Sequence, residues 1–215
     1  MNWVKTNRII KLLFPNYIWH ISTSKKKVYL TFDDGPIPDL TEWVLDILKK
    51  ENSKATFFCI GDNIKKHPEI FKRIISEGHS IGNHTFNHLN GWKTKTENYF
   101  ENFNLCETEI LNFKNLKIET QKSKLFRPPY GKIKPQQAKM IRKKGYEIIM
   151  WDVLSYDFDS LTNPEKCLKN VVENATNGSI IVFHDSIKAE INLRYTLPKA
   201  IQILKRKGFS FAKID

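Results

Sequence analysis

Four short stretches of this 215-residue chain concentrate carboxylates, histidines and an arginine. Thr31-Phe32-Asp33-Asp34-Gly35-Pro36 sets two carboxylates side by side just after the apolar run Val28-Tyr29-Leu30. Two adjacent anions repel, and a metal ion or an arginine nearby would remove that penalty and give each a separate task. His84-Thr85-Phe86-Asn87-His88 carries histidines at i and i+4, which face the same way if the segment turns helically. With Asp34 they make a two-His, one-carboxylate set that leaves positions open for water and substrate on a zinc-like ion. Arg127-Pro128-Pro129-Tyr130-Gly131 offers a guanidinium for a carboxylate, and a proline-stiffened backbone that can aim an N–H at a developing oxyanion. Ile180-Ile181-Val182-Phe183 delivers His184, followed by Asp185.

Each stretch closes or follows a segment read as a strand, so each is expected at a strand end. The intervening segments read as helices. Asp39-Leu40-Thr41-Glu42 is a capping box that opens a helix to Lys50, and Pro68 to Glu77 is a helix that stops at Gly78. Further helices are expected at about 95–113, 135–144, 164–175 and 196–207. Strands are expected at 55–60, 79–83, 125–127, 146–153, 179–183 and 209–214, with 114–124 as a surface loop. Strand and helix alternate with short links, which implies parallel strands with right-handed crossovers. The fold class is α/β, a distorted (β/α) barrel of about seven parallel strands, in which polar residues at strand C-termini share one pocket. Gly35 is expected to make the turn that brings Asp33 and Asp34 into that pocket.

Composition narrows the partners. The hydrophobic fraction of 40% and charged fraction of 27% describe a globular protein. The net charge of +12 is spread over the chain without a long basic block interleaved with stacking aromatics, so nucleic acid is not an expected partner. Cys59, Cys106 and Cys167 have no Cys-x-x-Cys spacing, which argues against a disulfide framework or a thiolate metal site. Residues 1–27 form a basic, amphipathic extension ahead of a domain over 28–215, with no apolar run long enough for a signal peptide or a membrane span. A monomer that is cytoplasmic, or peripheral to an anionic membrane or wall, is the expectation.

The four stretches resemble, in order and spacing, the motifs of the polysaccharide deacetylases, the carbohydrate esterase family 4 with its NodB-homology domain. The resemblance covers roughly residues 28 to 214. It implies a divalent metal, zinc in the first instance and cobalt or another ion as the alternative, and hydrolysis of N-acetyl groups from amino-sugar glycans such as peptidoglycan or chitin. By motif, Asp33 resembles the general base, Asp34, His84 and His88 the metal ligands, Arg127 the partner of that base, and His184 the general acid. Tyr130 resembles the residue whose backbone N–H serves the oxyanion, and Pro129, Tyr130, Phe158 and Val182 would line the substrate. The same resemblance admits a deacylase of a lipid-linked sugar, an O-acetyl esterase, or a glycan-binding module without activity.

The chain departs from the family at Leu154-Ser155-Tyr156-Asp157-Phe158, where the family commonly reads Asp-x-x-Asp-Trp. Leu154 thus stands where an orienting carboxylate is expected, Phe158 replaces a groove tryptophan, and Val182 replaces a leucine. Side chains alternate along a strand, so if Leu154 faces the interior Asp152 does too. Asp152 is therefore the expected support of His184, directly or through one water, with Asp157 as the alternative.

Overall fold

The computed structural model describes residues 3–113 and 121–215. Its centre is a curled parallel sheet with strand order β5-β4-β3-β2-β1-β7-β6, and β8 pairs with β1 off that path. The strands are β1 (Lys27–Asp34), β2 (Thr56–Cys59), β3 (Ser80–Asn83), β4 (Lys124–Phe126), β5 (Tyr146–Ile148), β6 (Val153–Leu154), β7 (Ile180–His184) and β8 (Ser210–Phe211). The helices are α1 (Arg8–Leu13), α2 (Leu40–Lys50), α3 (Gly61–Lys66), α4 (Pro68–Ser76), α5 (Thr96–Leu111), α6 (Pro135–Lys143), α7 (Pro164–Asn174) and α8 (Glu190–Arg206).

The central strands are apolar on both faces because both faces are covered. Val28, Leu30 and Phe32 of β1, Phe57 and Cys59 of β2, and Ile181 and Phe183 of β7 pack outward against α2, α4 and α8. Tyr29, Phe58, Leu125, Ile149 and Ile180 point the other way and fill the interior. Phe58 comes so close to β3 that a Cβ at Gly82 would lie 2.4 Å from its ring. A glycine there lets the ring lie flat across the inside.

Three expectations need correction, and one helix was not anticipated. The run 146–153 is not one strand: β5 and β6 are opposite edges of the sheet, and residues 149–152 cross the seam between them. Ile149 donates to Phe126 O of β4 at 2.8 Å and Asp152 donates to Ile180 O of β7 at 3.0 Å, so four residues close the curl. The segment after Gly61 is helix α3, whose Asn63 side chain holds the backbone of Asp34. The last helix begins at Glu190, with Pro198 accommodated inside it because the buried face Leu193, Leu197, Ala200, Ile201 and Leu204 runs through the proline. The strand expected over 209–214 is limited to β8. Of the loop expected over 114–124, residues 114–120 lie outside the described residues.

The N-terminal segment packs into the seam. Thr6 donates to Asp152 O and Leu154 donates to Val4 O, both at 2.8 Å, while Ile18 donates to Ile148 O and accepts from Met150. Residues 4–6 and 18 thereby satisfy backbone groups that the two edge strands cannot offer each other. Cys59, Cys106 and Cys167 are free and buried, as their spacing suggested.

Candidate active site and metal centre

Register decides which side chains meet. Asp33 of β1 is paired with Phe58 of β2 on one side and His184 of β7 on the other, and Thr31 is paired with Val182. With side chains alternating, Thr31, Asp33, Val182 and His184 share the interior face and Phe32 and Phe183 the helical one. Asp34 would follow Phe32 outward but for its left-handed backbone, φ 88, which turns it to the pocket mouth. The turn expected of Gly35 is thus made one residue earlier. Gly35 is needed for a different reason: a Cβ on it would stand 1.9 Å from Asp185 Oδ2. Asp185 accepts from Gly35 N–H at 3.0 Å and from Thr41 Oγ1 at 2.6 Å. It braces the turn from below, and burial pushes its carboxyl up to about 7 against those two hydrogen bonds.

Asp34, His84 and His88 come together as a donor set, with one ligand atom of each lying within 4.8 Å of the others. Asp34 Oδ1 is 3.7 Å from His84 Nε2 and 3.3 Å from His88 Nε2, and among the described residues it is buried without a hydrogen-bond partner. An orphaned buried carboxylate oxygen facing two imidazole nitrogens is what a cation site looks like without its cation. His84 Nδ1 lies 2.7 Å from Arg127 O, so it carries the proton and leaves the Nε2 lone pair toward Asp34. Burial pushes His84 well below its ordinary range, and burial also lowers His88. Both imidazoles are therefore neutral donors. The residues present fit a divalent ion.

The expected helical turn over 84–88 is absent. Thr85 and His88 have φ 63 and 55, and the loop is instead stapled by asparagines. Asn102 Oδ1 accepts from Phe86 N–H and Asn87 N–H at 2.9 Å each, and Asn83 Oδ1 accepts from Thr85 N–H at 2.8 Å. The histidine rings reach the same neighbourhood, 5.1 Å apart, by a different backbone route.

Arg127 is fully buried, which is tolerable only because its donors are used. One Nη bonds Asp33 Oδ1 at 2.6 Å and Thr31 Oγ1 at 2.7 Å, the other bonds Met150 O at 3.0 Å, and Nε bonds Ile149 O at 3.2 Å. Its guanidinium also lies over Phe58, 4.1 Å from the ring centroid. The seam-crossing residues 149 and 150 thus fix the arginine that fixes Asp33.

His184 corrects the choice between Asp152 and Asp157. Asp157 Oδ1 is 2.8 Å from His184 Nδ1, and Asp157 Oδ2 accepts the His184 backbone N–H at 2.7 Å. Asp152 is spent elsewhere, on Ser179 Oγ at 2.5 Å and on the Nζ of Lys11 at the far end of the sheet. Asp152 lies two residues before Leu154, toward the start of the strand, and the carboxylate that serves His184 comes instead from the loop after β6. Tyr156 has φ 62, which folds the next residue back over the strand end, and Asn192 holds Asp157 O at 2.9 Å. Burial alone would lower the His184 imidazole, but the field and hydrogen bond of Asp157 outweigh it and raise it to about 9. Leu154 therefore leaves no carboxylate missing.

Phe158 stands edge-on to His184 with centroids 4.8 Å apart, and Tyr130, with φ 60, lays its ring 4.5 Å from His88. Val182 is buried on the interior face and Pro129 is buried beside Tyr130. The residues that sequence reasoning passed over are the braces Thr31, Asn83, Asn102 and Asp185. Only Asp185 gave a signal, an acid at the end of an otherwise apolar strand.

A parallel half-barrel that gathers an arginine-paired carboxylate, an Asp-His-His donor set and a carboxylate-backed histidine at its strand C-termini has the layout of a metal-dependent hydrolase. The polysaccharide deacetylase family model matches residues 20–149. A peptidoglycan-N-acetylglucosamine deacetylase of Bacillus cereus is 34% identical over 200 residues, 92% of this chain and 90% of the relative. A crystal structure of the Bc1960 peptidoglycan N-acetylglucosamine deacetylase in complex with 4-naphthalen-1-yl-N-oxidanyl-benzamide aligns with TM-score 0.84 and 33% identity, covering 97% of this chain and 95% of that one. A mutant of BA3943, a CE4 family pseudoenzyme with restored enzymatic activity, aligns with TM-score 0.80 and 27% identity over 92% of this chain and 69% of that one. The chain belongs to the polysaccharide deacetylase family, whose members are metal-dependent.

Proposed function

We propose that this protein hydrolyses N-acetyl groups from an amino-sugar glycan, with peptidoglycan N-acetylglucosamine ahead of chitin-like polymers. The observation that carries the reading is the pairing of Asp33 with Arg127 and of His184 with Asp157 on either side of the Asp34-His84-His88 set. A binding module needs neither pair. The names of the relatives support the substrate class.

Asp34, His84 and His88 would hold the ion, zinc in the first instance and cobalt as the alternative, which supplies Lewis acidity toward the acetyl carbonyl and the attacking water. Arg127 occupies Oδ1 of Asp33, so Oδ2 is the oxygen that takes the water proton. Asp157 holds Nδ1 of His184, which leaves Nε2 to protonate the departing amine. The Tyr130 backbone N–H would serve as the oxyanion donor beside the ion, and Pro129, Tyr130, Phe158 and Val182 would wall the sugar and its acetyl group. The protein works as a monomer, peripheral to an anionic membrane or wall.

A second reading, deacylation of a lipid-linked amino sugar, is favoured by the aliphatic residues beyond His184. Leu161 and Ile187, on the connections after β6 and β7, and Ile191, in the first turn of α8, are 87%, 81% and 80% exposed at the same end of the sheet as the site. The deciding experiment measures acetate release from chitin oligosaccharides and from peptidoglycan, with chelator, with added zinc and with added cobalt. Absence of metal-dependent release from both polymers would sink the first reading, and release confined to a lipid-linked amino sugar would establish the second.

A further inference from the structure

We infer that α1 is a docking element for an anionic bilayer, and that it holds the protein with its active site facing away from the lipid. The six residues of α1 are divided sharply. Ile10 packs against the buried cluster that contains Trp19, Ile148 and Met150, and Lys11 ion-pairs with buried Asp152. The opposite face, Ile9, Leu12 and Leu13 at i, i+3 and i+4, is 65%, 70% and 68% exposed, and Phe14 beyond it is 46% exposed. Isolated exposed leucines are ordinary, but four large apolar groups turned outward together on an anchored turn form a patch that marks an interaction surface.

The anchorage is rigid. Asn7 caps the helix at Ile9 N–H, 2.8 Å, Trp19 Nε1 donates to Phe14 O at 3.2 Å, and Tyr17 stacks on Phe14 with centroids 5.6 Å apart. The patch therefore cannot fold inward to hide itself.

Charge selects the occupant. Lys5, Arg8, Lys11, Lys25, Lys26 and Lys27 precede the first acidic residue, Asp33, so six of the net +12 charges fall in residues 1–32. Lys5 and Lys11 turn in to Asp152, which leaves Arg8 and Lys25 to Lys27 to meet lipid phosphates. These groups share one end of the barrel. Lys5 Nζ bonds Asn174 O, the Lys27 backbone N–H bonds Asn177 Oδ1, and Asp152 bonds Ser179, all in the loop that leads into β7. That is the N-terminal end of the parallel strands, whereas Asp34, His84, Arg127 and His184 lie at the C-terminal end.

The test uses the intact chain with vesicles of equimolar phosphatidylglycerol and phosphatidylcholine, and with vesicles of phosphatidylcholine alone, read by cosedimentation. Binding is expected to the anionic vesicles only, and to weaken by about tenfold or more in the Leu12→Gln/Leu13→Gln variant, whose side chains hold up no core. Ile9→Gln is the second variant, should the first prove unstable in thermal denaturation. No binding to anionic vesicles, or undiminished binding by the folded variants, would overturn the inference. So would sedimentation velocity showing a dimer that those variants dissolve, because the patch would then belong to a second copy. None of these readouts depends on catalysis, so a failure here is separate from a failure of the proposed activity.

Discussion

Replacing Asp157 by Asn isolates the charge that supports His184. The Asn side chain fills the same space and can still accept the His184 backbone N–H, but it carries no charge to hold a proton on the imidazole. His184 stands at about 9 with the carboxylate present and would fall toward its ordinary 6.5 without it, because burial remains and Asp157 is the largest of the influences that raise it. The high-pH limb of the kcat/KM profile, which reports the acid of the free enzyme, should therefore move down by about 2 pH units, worth roughly 3 kcal/mol. At pH 7.5 the protonated share drops from roughly 97% to roughly 24%, about a fourfold loss of rate. The assay is acetate release from a soluble oligosaccharide across pH. Stability should change with a matching sign. A folded pKa raised above the unfolded one stabilises fully below about 6.5 and loses that contribution as pH rises through about 9, so the variant's Tm deficit should be largest in acid and fade in base. Asp152→Asn serves as the control, because that carboxylate is engaged with Lys11 and Ser179. An unmoved limb in Asp157→Asn, or an equal shift in Asp152→Asn, would refute the assignment.

Other perturbations have similarly definite outcomes. Asp33→Asn should lower the rate by roughly 10²-fold or more while calorimetric titration shows zinc still bound, since it removes a base and not a ligand; parallel loss of zinc in Asp33→Asn and Asp34→Asn would contradict the division of roles. Arg127→Met leaves a buried carboxylate unpaired and should cost about 3–5 kcal/mol in chemical denaturation. Gly35→Ala drives a methyl into Asp185 and should cost about 1–3 kcal/mol and weaken zinc binding, because the displaced brace carries Asp34 with it; unchanged zinc affinity would show that Asp185 does not position the ligand.

The alternation of strand and helix was legible because glycines and prolines punctuate it: Gly78, Gly145 and Gly208 all sit at φ near 80 just past helix ends. The chemical residues were legible because each stands at or just past the end of a segment read as a strand. What could not be read was how the backbone behaves once ladder pairing stops. The positive φ values at Asp34, Thr85, His88 and Tyr156 fall at strand ends or in the loops that follow them, and no local propensity announces them. Alternation along the strand points back from Leu154 to Asp152 and cannot see Asp157, which the turn at Tyr156 brings to His184. The seam crossing at 149–152 was hidden because an apolar stretch that bridges two sheet edges has the same composition as one that continues a strand.

The seam also sets an order of events during synthesis. Residues 4–11 pair with residues 151–154, Lys11 with Asp152 across 141 positions of sequence. At 5–20 residues per second they leave the ribosome roughly 7–30 s before those partners exist. The arm that completes the barrel must therefore stay uncommitted, with Ile10 unpacked, until most of the chain has been made. Contacts this distant in sequence also slow closure from the unfolded state. Basic residues spaced through the arm fit that wait, because like charges on neighbouring nascent chains keep their apolar turns apart.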